Sequence, residues 1–178
     1  MGPDKALLAW GGTDLLGHAL DRLRAVCRDV RILSGSETRY ADRGVPVVMD
    51  TVEGAGSLAG VLAGLEAAGG TGLFLGIDLP FVPVPLLDHL ARLAGPVDAV
   101  VPVSPGGPEP LAAVYGPACR APIRRCLAEG RFKMTAFWPD VRVREVGPAE
   151  LLAFGDPARL FRNLNTPEDY EAARADGR

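Results

Sequence analysis

Short apolar runs alternate with amphipathic stretches of helical period along most of this chain, and that alternation restricts its possible folds more than any other feature. Residues 30–34, 45–49, 73–77 and 99–103 are rich in Leu or β-branched side chains and read as buried strands. Between them, Leu15, Leu16, Ala19, Leu20 and Leu23 mark one helical face. Leu58, Val61, Leu62 and Leu65 mark a second, with Ser57 placed to cap its start and Gly69-Gly70 to end it. Leu86, Leu87, Leu90 and Leu93 mark a third, entered through Pro83 and Pro85. Alternation of this kind predicts an α/β fold with a mostly parallel sheet and helices on both faces. The last third is less regular. Pro108-Glu109-Pro110 breaks the chain, after which the pattern predicts strands over 111–115 and 141–146 and a helix over 117–129. Thr166-Pro167-Glu168-Asp169 reads as a helix start with Thr at the cap, Pro at the first position and Asp at the third. No repeat or linker interrupts the pattern, so one domain over 1–178 is expected.

Composition removes several function classes. With 178 residues, 48% of them hydrophobic, the chain can bury a core without disulfides or metal. A net charge of −3 argues against a general nucleic-acid-binding surface. No apolar run approaches the roughly 18 residues that a membrane helix needs. Cys27, Cys119 and Cys126 form no C-x-x-C pair, and Cys119 and Cys126 share a helical face as small core residues. A reduced, cytoplasmic protein with no signal peptide is expected. There is no G-x-x-x-x-G-K-[ST], H-E-x-x-H or G-x-S-x-G motif. His18 and His89 fall on helical patterns that suit packing better than catalysis.

The acids at strand ends are the first candidates for chemistry. Asp78 closes an apolar strand, and the carboxyl ends of strands in open α/β sheets face the ligand crevice. A carboxylate there can hold a divalent cation such as Mg²⁺, which needs only one or two protein carboxylates beside substrate phosphates; it can equally start a turn. Asp50 repeats the pattern ahead of G-A-G-S-L-A-G at residues 54–60, where Gly56 and Gly60 let a ligand approach a helix N-terminus. That segment imitates a dinucleotide fingerprint. Its G-x-G-x-x-x-G spacing, and the Thr51-Val52-Glu53 insertion before it, argue against a nicotinamide site. Lys5 precedes an apolar run and reads on its own as a surface charge. Residues 120–144 hold seven Lys/Arg against two acids, so Arg124, Arg125, Arg131 and Lys133 form either an anion platform or a solvated helix face. Asn163 and Asn165 put two amides on one side of an extended segment, where they can hydrogen-bond a base, a pterin or a metal-bound water.

Six segments in order, M-G-P-D-K-A-L-L at residues 1–8, G-A-G-S-L-A-G at 54–60, I-D-L-P-F at 77–81, G-G-P-E-P-L-A-A-V-Y at 106–115, G-R-F-K-M at 130–134 and N-L-N-T-P-E-D at 163–169, resemble the molybdenum cofactor guanylyltransferases (MobA-like). The resemblance implies a Rossmann-like, GT-A-like three-layer nucleotidyltransferase fold. It also implies transfer of GMP from GTP to molybdopterin carrying molybdenum, with Mg²⁺ as cofactor and pyrophosphate released. Carried over by residue, Lys5 contacts the nucleotide and its phosphates, and Asp78 binds both Mg²⁺ and nucleotide. Asp50, Ser34, Gly56 and Gly60 fall on the GTP side; Glu109, Arg131, Lys133, Asn163 and Asn165 fall on the molybdopterin side. A small GTP-binding accessory protein and recipient molybdoenzymes are implied partners.

The chain departs from the family pattern at Ser57, where Pro is usual, and at Ile77, where Cys is common. Family members also begin with a strand and an L-A-G-G loop before M-G-x-D-K, whereas this sequence opens inside that motif at Met1. The resemblance therefore implies a weakened sheet and poor or absent GTP turnover, or at the extreme an inactive relic or binding partner. The related cytidylyltransferases, which use CTP, tend to carry D-x-D-T-P-E-D where this chain has Asn163 and Asn165, and that favours GTP.

Overall fold

The computed structural model describes residues 4–35, 37–50, 52 and 54–176; residues 1–3 of the M-G-P-D-K segment, Thr51 and Glu53 lie outside the described residues. A 3-10 turn at Lys5–Leu7 leads into a hairpin of β1 (Ala9–Trp10) and β2 (Thr13–Asp14). Gly11 and Gly12 make its two-residue turn with φ of 56° and 89°, the left-handed backbone that such a hairpin demands. α1 (Leu15–Arg24) follows at once, capped by Asp14, whose carboxylate accepts from Gly17 N at 2.7 Å. β3 (Ile32–Leu33) and β4 (Val47–Val48) then form a separate parallel pair.

α2 (Ser57–Ala68) is capped by Gly56 rather than Ser57, which becomes its first helical residue; Gly69 ends it with φ of +70°. All eight residues from Leu58 to Leu65 are buried, so this helix is enclosed on every side. The remaining elements are β5 (Gly72–Leu75), α3 (Val84–Leu93), β6 (Ala99–Ser104), β7 (Gly107–Pro108), β8 (Ala112–Tyr115), α4 (Arg120–Ala128), β9 (Val143–Val146), α5 (Pro148–Leu151), α6 (Pro157–Leu160) and α7 (Pro167–Asp176).

The main sheet runs β5-β8-β6, with β9 and the short β7 also pairing with β6. β5, β6 and β9 share one direction, as the alternation predicts, but β8 lies antiparallel between β5 and β6. The reversal has a simple cause. Only residues 105–111 separate β6 from β8, and a parallel crossover needs a dozen or more.

Each face of this sheet carries its own core. Ala113 and Tyr115 of β8 join α2 and α4 through Leu58, Leu62, Leu65, Ile123, Cys126 and Phe137. Ala112 and Val114 point the other way, to Leu86, Leu87 and Leu90 of α3 and to Leu151 and Leu160. Each Leu so buried contributes about 1.5–3 kcal/mol, which accounts for a three-layer arrangement with helices on both faces. Cys119 and Cys126 are both fully buried in the first core. Two smaller clusters fix the chain ends. Ala6 packs with Leu16, Leu20 and Ile32, and Leu164, Tyr170 and Ala173 pack with Leu15. Among the described residues, no helix is long and apolar enough to cross a membrane.

Candidate active site

Asp78 sits three residues beyond β5, on a turn closed by Leu79 N donating to Gly76 O at 3.2 Å. Gly76 N in turn donates to Leu111 O at 2.7 Å. A Cβ on Gly76 would lie 2.5 Å from Asp78 Oδ1, so the carboxylate occupies the space that any other residue would claim. Gly76→Ala is accordingly expected to displace the carboxylate; a crystal structure of the variant, beside a thermal melt, checks this.

Lys5 reaches Asp78 from the other end of the chain. Its Nζ lies 3.7 Å from Asp78 Oδ2 and donates to Asn165 Oδ1 at 3.2 Å. The 3-10 turn that carries Lys5 is capped by Asp4, which accepts from Ala6 N at 3.1 Å and from the Tyr40 hydroxyl at 2.7 Å. The Tyr40 hydrogen bond, with help from Ala6 N and Arg39, holds the Asp4 carboxyl below its ordinary range despite its desolvation. Tyr40 itself stands at φ of +66°, a conformation that a bulky residue rarely adopts.

Residues 163–165 complete the cluster. Leu164 is buried and its N donates to Asp78 O at 3.0 Å, while Asn163 and Asn165 on either side are exposed. Behind them Thr166 caps α7: Asp169 N donates to Thr166 Oγ1 at 3.1 Å, and Thr166 N donates back to Asp169 Oδ2 at 2.9 Å.

Glu109 lies on the turn after β7, within the electrostatic reach of Asp78. Burial, and secondarily the negative charge of Asp78, push its carboxyl up, against a lowering hydrogen bond from Ser104 Oγ at 2.7 Å. A carboxyl raised in part by the negative charge of a second carboxylate suits a divalent cation shared by the two. Among the described residues, no group of three or more His, Cys, Asp or Glu could hold a metal alone. One or two carboxylates completed by substrate oxygens form a donor set that a hard divalent cation accepts.

A second group gathers where β3, β4 and α2 meet. Asp50 N donates to Gly35 O at 2.8 Å, and its Oδ1 is buried with no hydrogen-bond partner among the described residues. Burial pushes this carboxyl up. Gly60 packs so closely that its Cβ would come 3.4 Å from that oxygen. Gly56 opens α2 with φ of +62° and no side-chain cap, leaving first-turn N–H groups for an anion. Ser34 is buried nearby, its N donating to Val48 O at 3.2 Å and its hydroxyl to Glu37 O. Among the described residues, no hydrogen bond or ion pair joins this group to the Lys5–Asp78 cluster.

The basic residues of 120–144 do not form one platform. Arg124 pairs with Glu66 at 2.6 Å and Arg125 with Asp140 at 2.8 Å. Arg131 pairs with Glu129 at 2.7 Å and donates to Ala136 O at 3.0 Å; Lys133 stays exposed. Among the described residues, no hydrogen bond or ion pair joins Arg131 or Lys133 to Lys5, Asp78 or Asn165. Sequence reading passed over Asp4, Tyr40, Gly76 and Ser104, which hold the three central side chains. Only Asp4 carried a local signal, as the residue before Lys5.

Residues 1–141 match the family described as the MobA-like NTP transferase domain. A molybdenum cofactor guanylyltransferase of Rhodopseudomonas palustris (strain HaA2) is 37% identical over 187 residues, covering 97% of this chain and 83% of that protein. The enzyme of the same name from Desulfosudis oleivorans is 31% identical over 176 residues, covering 98% and 87%. The crystal structure of molybdopterin-guanine dinucleotide biosynthesis protein A from Archaeoglobus fulgidus superposes with a TM-score of 0.82 at 25% identity, over 97% of this chain and 90% of that one. A family match across most of the chain, relatives above 30% identity along nearly all of it and a shared three-layer fold make this chain a member of the MobA-like NTP transferase family.

Proposed function

We propose that this protein transfers GMP from GTP to the molybdenum form of molybdopterin, yielding the guanine dinucleotide and pyrophosphate. The observation that carries the reading is the Lys5 ammonium, shared between the Asp78 carboxylate and the Asn165 carboxamide in a member of this family. A phosphate oxygen of molybdopterin attacks the α-phosphorus of GTP. The bond from that phosphorus to the bridging oxygen breaks, and pyrophosphate leaves with the electron pair. The attacking phosphate is already ionised near pH 7, so no strong general base is needed.

The chain's own work is positional and electrostatic. Lys5 offsets negative charge where the phosphates meet. Asp78, with Glu109 beside it, would hold Mg²⁺, which supplies charge neutralisation at the phosphate oxygens. The lone Asp50 oxygen suits the N1–H and N2–H edge of guanine, which offers two adjacent donors where cytosine offers one. Ser34, Gly56 and Gly60 line the same side. Asn163 and Asn165 present amides to the pterin, with Arg131 and Lys133 further out. The cytoplasm, as the source of GTP, is the proposed location.

The test is product analysis. Protein, GTP, Mg²⁺ and molybdopterin, incubated for hours to allow for slow turnover, should yield the dinucleotide and pyrophosphate one to one. Omitting either substrate should abolish both. A dinucleotide formed from CTP but not from GTP would overturn the reading.

A further inference from the structure

A cavity of about 970 Å³ lies apart from the Lys5–Asp78 cluster, and none of Lys5, Asp50, Asp78 or Asn165 lines it. It opens between the β1–β2 hairpin, the segment after Asp78, and α6 and α7. Its floor is aromatic. Trp10 meets Phe81 edge to face, with ring centres 5.5 Å apart at 84°, and both rings are half-buried.

Its walls are cationic. The Arg159 guanidinium lies 5.8 Å from the centre of the Phe81 ring and has no carboxylate partner among the described residues. Arg22 is held by Nε donating to Val82 O at 2.8 Å and by contact with His18 Nε2, again with no carboxylate partner among the described residues. Arg174 stacks on Tyr170 at 5.5 Å and, among the described residues, its ion pair is a long one of 3.8 Å with Glu171. Asp156, an acid on the wall, is engaged in capping Ala158 N at 3.0 Å.

We infer that this cavity is a second binding site, separate from the transfer centre, for a small aromatic anion: a flat ring system bearing a phosphate or carboxylate. The volume falls in the range of small-ligand pockets, which combine apolar walls with a few convergent polar groups. The ring stacks in the Trp10–Phe81 corner, and the anionic group takes the open donors of Arg159 and Arg22. Burial also pushes the Arg22 guanidinium down from its ordinary value, a cost that a bound anion would relieve.

Calorimetric titration of the whole protein with 1-naphthyl phosphate and with 1-naphthoate tests the site. Saturable binding of at least one is expected, with a dissociation constant below about 1 mM. Arg159 is exposed, so Arg159→Gln should fold normally; it is expected to weaken binding about ten-fold. Asp78→Ala, which acts on the transfer centre, should leave it unchanged. Neutral 1-naphthalenemethanol and inorganic phosphate should each bind at least about ten-fold more weakly. Absence of saturation with both probes, loss in Asp78→Ala, indifference to Arg159→Gln, or equal binding of either half-probe would each overturn the inference.

Discussion

Asp78→Ala is expected to weaken Mg²⁺-dependent GTP binding by about 100-fold or more, about 2.8 kcal/mol at about 1.4 kcal/mol per decade. The size follows from what converges on this one carboxylate. Lys5 loses its ion-pair partner and retains the Asn165 hydrogen bond. Glu109 loses the adjacent charge that helped to raise its carboxyl, leaving burial as the main raising influence. The fold should survive, because the Asp78 side chain is a quarter exposed and the bond from Leu164 N is made to its backbone oxygen. Asp78→Asn keeps the shape and removes the charge. An equal loss in that variant marks the effect as electrostatic, and less than about a three-fold loss in either would contradict the assignment.

Tyr115→Ala should cost about 3–5 kcal/mol of folding free energy, a large share of the roughly 5–15 kcal/mol that a domain of this kind possesses. Tyr115 is fully buried on β8, the strand that joins β5 to β6. Its ring packs 5.7 Å from that of Phe74 and 5.8 Å from that of Phe137, which ties the sheet to α2 and α4. Its hydroxyl donates to Pro110 O at 2.8 Å and so anchors the turn that presents Glu109. Tyr115→Phe keeps the ring and loses only that bond, for about 1–3 kcal/mol. Urea unfolding should show lower midpoints with an unchanged slope, Ala below Phe below parent. A midpoint for Tyr115→Ala matching the parent would show that the core tolerates the void.

The helical faces were legible because their 3.6-residue period depends only on local spacing: Leu58, Leu62 and Leu65 are buried where the pattern puts them. The acid at a strand end was equally legible, since Asp78 follows an apolar run at the edge where α/β sheets bind ligands. β8 was read into a mostly parallel sheet because alternation outweighed the shortness of residues 105–111, the better guide to its direction. The β1–β2 hairpin was missed although Gly11-Gly12 is a hairpin signal; two-residue strands show no alternation to notice. The meeting of Lys5 with Asn165, 160 positions apart, has no local signature, and the family resemblance had put the two on different sides of the site. The basic stretch left two readings open, and the pairs decide against one platform: Arg131 meets Glu129 close by and Arg124 meets Glu66 distant in sequence.

The central claim, a guanine nucleotide held between Asp78 and Asp50, is tested most directly by titrating the protein calorimetrically with GTP and then CTP, each with Mg²⁺. GTP should bind at least about ten-fold more tightly, and Asp50→Asn should narrow that gap by replacing an acceptor with a donor at the base. Tighter binding of CTP, or a GTP preference untouched by Asp50→Asn, would contradict the account.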